Sequence, residues 1–339
     1  MSPPGWTLDR DASARSLEML RGSRHVLMPT HQNVDADGLA TPLALAHALE
    51  TFGVTSTVVV SDGQLPKNLQ FLPGVDRVLC YGEGPLPEYD VLLLADCADR
   101  RRVGGFYADD PDRLSGVIPI VNVDHHVTNA LYGAVNIVEP TAAATSEVVA
   151  ALLAEWNVPI TEGLAQCLLA GIYGDTLGLR TSSATSRTMR TAADLVDAGA
   201  NPEPVVDALF RVKPKSTVCL WERALGGVHW TGRVIWTDLT RATLEECRAM
   251  PSEAEGFVNF LAGTEGSLVA VMFYETDFGW RVSMRSLPED VNVAAIAAEF
   301  GGGGHPRAAG CEIRGGVEQR DAFLNRVSEL AATSHRSED

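Results

Sequence analysis

Short apolar runs alternate with a helical pattern through the first part of the chain, and that alternation limits the fold more than any other feature. "HVLMPT" (25–30), "TSTVVVSD" (55–62), "DVLLLADC" (90–97) and "IPIVNVD" (118–124) read as strands bounded by polar residues. Between the first two, "LATPLALAHALETFG" (39–53) reads as a helix that stops at Gly53. Strands that alternate with helices argue for a parallel α/β sheet. Further helices are expected from about Ser146 to Trp156 and from about Glu162 to Gly174.

The pattern then changes. Residues 183–225 read as helical, broken near Gly199, Pro202 and Pro214, and suit a connector between domains. Beyond it, "GRVIWTDL" (232–239), "SLVAVMFYET" (267–276) and "GWRVSMRS" (279–286) read as strands, with helices from about Leu244, Glu253, Asn292 and Val317. That is a smaller α+β domain. No internal repeat is present, and the only biased segment is "GGGGH", Gly301 to His305.

The first-half strands share one property. After "HVLMPT" come His31, Asp35 and Asp37; after "DVLLLA" comes Asp96; after "IPIVNV" come Asp124, His125 and His126. In a parallel sheet these C-terminal ends lie along the edge where α/β proteins bind ligands. Asp175 follows the buried helical face Leu164, Leu168, Ile172 and sits at that helix's C-terminal end, where a carboxylate opposes the helix dipole. Taken singly, each has a plain structural reading. His31 or His125 reads as a hydrogen-bonded histidine, Asp35 and Asp37 as loop or N-cap residues, Asp96 as a strand-end turn and Asp175 as a surface acid. Taken together, four segments deliver acids and imidazoles to one crevice, and such a cluster repels itself without cations. Oxygen and nitrogen donors without sulfur suit Mn²⁺ or Mg²⁺ better than structural zinc.

Composition excludes some functions. The net charge is −17, from 27 basic and 44 acidic residues, whereas proteins that track long polyphosphate backbones usually carry a basic surface. Long nucleic acid is therefore not an expected partner. No run of about 18 apolar residues and no secretory signal is present, so neither a membrane span nor export is expected. The six cysteines (80, 97, 167, 219, 247, 311) form no C-x-x-C pair and read as free thiols, several of them buried, in a reducing cytoplasm.

With those residues in view, the sequence resembles the DHH phosphoesterase superfamily, named for the triplet found here at Asp124-His125-His126. The resemblance covers nearly the whole chain. It runs through "HQNVDADG" (31–38), "DCADRRRVG" (96–104, with Arg102 at the family's arginine position), "DHHVTN" (124–129) and "GIYGDTLGLR" (171–180). In the second half it takes in "SMRS" (283–286) and "GGGGHPRAAG" (301–310), which resemble the associated domain that closes over the active site. Val34 stands where a proline is usual and Leu179 where an aromatic is common, which bears on substrate fit more than on chemistry.

The resemblance implies a catalytic α/β domain over 1–195, a helical linker over 196–226 and a substrate-binding α+β domain over 227–333, with the active site in the cleft between the domains. It implies two divalent ions, expected to be Mn²⁺. One is assigned to His31, Asp35 and Asp96, the other to Asp37, Asp96, His125 and Asp175, with Asp96 bridging. Asp124 is expected to orient the pair, and His126 to contact the scissile phosphate or protonate the leaving oxygen. Arg102, Arg285, Gly303, Gly304 and His305 are the expected substrate contacts. Read alone, the glycines are equally a flexible turn; they follow a helix and do not form a dinucleotide-binding fingerprint.

The nearest resemblance is to two-domain nano-RNases, which degrade RNAs of two to five nucleotides and often act as 3′-phosphatases on adenosine 3′,5′-bisphosphate. A phosphodiesterase for cyclic di-AMP or linear pApA is the alternative. A catalytically silent nucleotide-binding regulator is a third reading, and a homodimer is left open.

Overall fold

The computed structural model describes residues 8–61, 63–254, 256–287 and 291–334. The part of the secretory-signal reading that rests on residues 1–7 lies outside them. The chain divides into two compact units, Met1–Val212 and Lys213–Asp339.

The first unit runs α1 (Arg10–Arg21), β1 (His25–Pro29), α2 (Ala36–Thr51), β2 (Thr55–Val60), β3 (Leu79–Cys80), β4 (Val91–Ala95) and α3 (Gly104–Ala108). It continues with β5 (Ile120–Asp124), β6 (Val135–Val138), α4 (Thr145–Glu155), α5 (Glu162–Asp175), α6 (Ser186–Asp197) and α7 (Pro202–Val206). Its sheet has the order β3-β2-β1-β4-β5-β6, parallel at every pairing. The order reverses between β1 and β4. A crevice opens at such a reversal, because the two connections leave in opposite directions.

Alternation along the strands fills both faces. Val26, Met28, Leu93 and Ala95 enter the core beneath the long helices; Leu27, Val59, Leu92 and Leu94 enter a second core with Phe106 and Leu114. Each such Leu or Val contributes roughly 1.5–3 kcal/mol by leaving water. Helix α2 is buried on most of its surface, which is why its sequence is apolar all round and shows no single stripe. It opens at Ala36, earlier than its apolar run indicates, because the Asp35 side chain caps the amide of Gly38 at 2.9 Å.

The return from β5 to β6 is unusual. Parallel neighbours usually need a helical crossover, yet residues 125–134 make it with no helix. Side-chain hydrogen bonds replace the helix. Asn122 Nδ2 donates to Asn129 Oδ1 (2.9 Å) and Asn136 Oδ1 (3.2 Å), and the Tyr132 hydroxyl donates to the carbonyl of Cys97 (2.7 Å).

The second unit runs α8 (Lys215–Gly226), β7 (His229–Thr231), β8 (Val234–Leu239), α9 (Arg241–Cys247), α10 (Phe257–Ala262), β9 (Val269–Thr276) and β10 (Gly279–Ser286). Then come α11 (Val293–Glu299), β11 (Gly303–His305), β12 (Ala308–Arg314) and α12 (Val317–Ser334). Its sheet is mixed, in the order β11-β12-β10-β9-β8-β7, with only β8 and β9 parallel, and it carries a core on each face. The segment expected as a connector is shared out: α6 and α7 lie in the first unit and α8 in the second.

The reading of six free thiols is corrected. Cys219 of α8 and Cys247 of α9 form a disulfide, their Cα atoms 5.6 Å apart, while Cys80, Cys97, Cys167 and Cys311 are free. The packing of α8 against α9 brings the pair together, and a separation of 28 residues gave no sign of it. Among the described residues, no helix is long and apolar enough to cross a membrane.

Candidate active site

The ends of β1 and β4 meet at the strand-order reversal, and they carry His31 and Asp96. Asp96 is buried and has φ 56°, in the left-handed region that residues other than glycine seldom occupy. Such strain costs of order 1–3 kcal/mol and recurs at functional sites. Three imidazoles ring the carboxylate: His31 Nε2 at 3.5 Å, His125 Nε2 at 3.6 Å and His126 Nδ1 at 3.6 Å. The Thr145 hydroxyl donates to it at 2.9 Å.

The histidines are held from behind. His31 Nδ1 faces the Gln32 carbonyl at 2.8 Å and His125 Nδ1 faces the Ala142 carbonyl at 3.2 Å. With protons on those nitrogens, both rings turn Nε2 toward carboxylates, the arrangement in which a backbone oxygen orients a ligating imidazole. His31 Nε2 lies 3.7 Å from Asp35, and His125 Nε2 lies 3.2 Å from Asp175. The fully buried Asp124 organises the third ring. Its Oδ1 accepts from His126 Nδ1 (2.7 Å) and from the amides of His125 (2.8 Å) and His126 (3.2 Å), and its Oδ2 accepts from Asn129 Nδ2 (2.6 Å). A carboxylate so occupied orients its neighbours.

Asp37 sits in the first turn of α2 with no exposed surface. It accepts from Thr41 Oγ1 (2.9 Å) and from the amides of Thr145 (2.6 Å) and Ser146 (3.0 Å), the first two residues of α4. Helix α4 has Ala144 at its own N-cap position with no side-chain cap, so Asp37 caps it from another helix. Glycines permit this closeness. A methyl group at Gly171 would clash with Ser146 Oγ and Asp37 Oδ1, and one at Gly38 would clash with His31 Nε2.

The electrostatics are those of crowded acids. Burial, then the charge of Asp96, raises Asp37 to about 6 despite its hydrogen bonds. Burial, then Asp37, raises Asp175 well above the usual carboxylate range. Burial also pushes against Asp96, but the hydrogen bond and charge of His31, with His126 and His125, hold it below its ordinary value. His125 feels burial first, yet Asp175, Asp96 and Asp37 lift it to about 10.

Two donor sets emerge, Asp37, Asp96, His125 and Asp175 in one and His31, Asp35 and Asp96 in the other, each within 4.8 Å and sharing Asp96. Buried acids that resist ionising together, with imidazole nitrogens turned toward them, fit divalent cations of the Mn²⁺ or Mg²⁺ kind.

A profile of the DHH family, N-terminal domain, matches residues 25–172, and one of the DHHA1 domain matches residues 242–333. The bifunctional oligoribonuclease and PAP phosphatase NrnA of Thermus thermophilus is 31% identical over 292 residues, covering 86% of this chain and 84% of that protein. The chain belongs to the DHH family. Another DHH relative, NrnA of Bacillus subtilis, is 25% identical over 303 residues, covering 85% of this chain and 89% of its own. The fold is shared with an exopolyphosphatase-related protein from Bacteroides fragilis (TM-score 0.89, 20% identity, 97% of this chain and 99% of that one). It is shared also with RecJ of Thermus thermophilus in complex with Mn²⁺ (TM-score 0.61, 16% identity, 98% of this chain and 56% of that one).

The DHH motifs thus converge: His31, Asp35, Asp37, Asp96, Asp124, His125, His126 and Asp175 form one cluster in the first unit. Arg102 is half-buried at the end of a short turn after β4, its carbonyl accepting from the Gln32 amide at 2.6 Å. Val34 is buried, and Leu179, at φ 65°, packs against the first core.

The remaining candidates lie in the second unit. Arg285 and His305 both pair in register with Ala308, so they share one sheet face about two strand spacings apart, roughly 10 Å. Arg285 Nε donates to Asn259 Oδ1 at 2.8 Å. The glycine-rich segment is partly strand, with Gly303 and Gly304 exposed on β11 opposite Gly310 and Ala309.

Sequence reading missed Thr41, Thr145, Ser146, Gly38 and Gly171. The signal open to it was a pair of small-residue patches, "TAAATS" and the glycine of "AGIYG", with no strand end to mark them.

Proposed function

We propose that this DHH-family phosphoester hydrolase cleaves RNAs of two to five nucleotides to mononucleotides and removes the 3′-phosphate of adenosine 3′,5′-bisphosphate, using two divalent ions that we take to be Mn²⁺. The observation that carries the reading is the strained, buried Asp96 shared by two donor sets at the strand-order reversal. The names of the NrnA relatives support the substrate class. The −17 charge supports short substrates over long nucleic acid.

In this reading His31, Asp35 and Asp96 hold one ion, and Asp37, Asp96, His125 and Asp175 hold the other. Bound there, the ions supply the positive charge that stabilises in-line displacement at phosphorus. Asp124 keeps the His126 Nδ1 proton on its own side at 2.7 Å, which assigns Nε2 to the substrate. That nitrogen contacts the scissile phosphate or gives a proton to the leaving oxygen. The Asp37 and Thr145 contacts keep α4 fixed against the cluster while the substrate turns over. Arg102, Arg285, Gly303, Gly304 and His305 bind substrate phosphate.

The test is a side-by-side assay of Mn²⁺-loaded protein on RNA dinucleotides, adenosine 3′,5′-bisphosphate, cyclic di-AMP and linear pApA. Turnover of the first two that stops in excess chelator and returns with Mn²⁺ is expected. Full turnover in chelator contradicts the metal assignment. Activity confined to cyclic di-AMP or pApA moves the enzyme to the alternative substrate class. Metal uptake with no turnover on any of them leaves a silent nucleotide-binding protein.

A further inference from the structure

We infer that Arg187, acting through Glu147, is a positioning residue that fixes the segment on which the metal-facing groups lean. This rests on reading the acid and imidazole cluster as a metal centre.

Residues 141–146 touch that cluster at three points. The Ala142 carbonyl accepts from His125 Nδ1 (3.2 Å), the Thr145 hydroxyl and amide donate to Asp96 (2.9 Å) and Asp37 (2.6 Å), and the Ser146 amide donates to Asp37 (3.0 Å). None of these groups is held by a strand. What holds the segment is an ion pair on its far side. Glu147 is buried, and its Oε2 accepts from the Ala143 amide (2.8 Å) while its Oε1 accepts from Arg187 Nε (2.9 Å). Arg187, also buried, extends Nη2 to the Thr141 carbonyl (2.7 Å). Thr188, the next residue of α6, adds its hydroxyl to Glu147 Oε2 at 3.4 Å.

The guanidinium therefore fastens both ends of residues 141–143, one directly and one through Glu147. Two buried charges are costly to desolvate, and an apolar pair fills the same space with equal or better stability. The pair's specific contribution is direction. A planar guanidinium donates along two fixed lines, so it sets where the Ala142 carbonyl and the Thr145 hydroxyl point. Outer partners of metal ligands of this kind change metal affinity by about ten- to a hundredfold when lost.

Two variants test this. Arg187→Lys keeps the charge beside Glu147 but cannot reach along both lines. The double variant Glu147→Leu/Arg187→Met removes both charges, so no lone buried charge remains to unfold the protein. Each is compared with wild type by thermal unfolding, by Mn²⁺ titration calorimetry on metal-free protein, by the ¹⁵N shift of the His125 imidazole without metal, and by kcat and KM on a dinucleotide.

The expected result in whichever variant folds is Mn²⁺ affinity weaker by on the order of tenfold at one site or both. A shifted His125 Nδ1 signal and a lower kcat at unchanged KM should accompany it. Folded variants with wild-type Mn²⁺ affinity and kcat overturn the inference, as does lowered stability alone with Mn²⁺ binding intact. Collapse of even Arg187→Lys and the double variant also overturns it, because it assigns the pair to folding. Wild-type protein that takes up no Mn²⁺ overturns the metal reading itself, a result distinct from uptake that the substitutions leave unchanged.

Discussion

Asp96 is where the chemistry is most concentrated. Three imidazoles and a hydroxyl meet its carboxylate, and it belongs to both donor sets, whereas the exposed Asp35 belongs to one. Asp96→Ala should therefore lower kcat by at least roughly 10³-fold, the scale of a lost electrostatic stabiliser, and by more than Asp35→Ala. Steady-state kinetics checks the order, and an Asp96→Ala enzyme retaining a tenth of wild-type kcat contradicts the shared role. The same residues set a pH dependence. Without metal, His125 at about 10 and His31, raised well above its ordinary value, are protonated at neutral pH, and Asp37 titrates near 6. Because Asp37 is raised, the metal-free fold has that group's stability in full below the ordinary carboxylate pKa and loses it as pH climbs through about 6. Metal ligation must displace these protons. Mn²⁺ affinity should rise steadily from about pH 6 to 8, with about two protons released near neutrality. Calorimetry in buffers of different ionisation enthalpy measures that release, and pH-independent uptake argues against His31 and His125 as ligands.

Helices build the half of the site that the strands do not. Helix α5 approaches α2 and α4 through Gly171, where a side chain would strike both Ser146 and Asp37. Gly171→Ala should cost about 1–3 kcal/mol as an overpacked contact, and it should weaken Mn²⁺ binding because the group displaced is Asp37. A melting curve together with a metal titration separates the two effects; unchanged Mn²⁺ affinity would mean the helices yield elsewhere. This layer is also where the sequence was least legible. His31, Asp96 and the Asp124-His126 triplet could be read because each ends an apolar run that can only be a strand. Thr145, Ser146 and Arg187 could not, since a threonine or arginine on a helix has no local mark of what lies across from it. Short edge strands such as β3, with two residues, carry too little pattern to read, and Cys219 and Cys247 pair only once α8 has packed on α9.

At the scale of the whole molecule, charge and length act together. A surface carrying −17 opposes every added phosphate, so extension of the substrate brings repulsion without a basic track to offset it. The ratio kcat/KM should peak at two to four nucleotides and fall for longer RNAs, most steeply at low salt, where the repulsion is least screened. Rates that climb out to 20-mers would refute this. His305→Ala, in the second unit, should raise KM on short substrates by the equivalent of about 1–3 kcal/mol while Mn²⁺ stoichiometry stays at the wild-type value. Metal loss in that variant would contradict its assignment as a substrate contact.

Loops are ordinarily where a protein accepts insertions. Residues 125–134 are a loop of a different kind: they carry the two histidines at one end and deliver β6 into register at the other, with Asp124 opposite Val138. One added residue would have to displace either the imidazoles or the strand, since no helix lies between to absorb it. The number of residues in this return is therefore as constrained as their identity, and a chain of this fold can lengthen almost any surface turn more safely than this one.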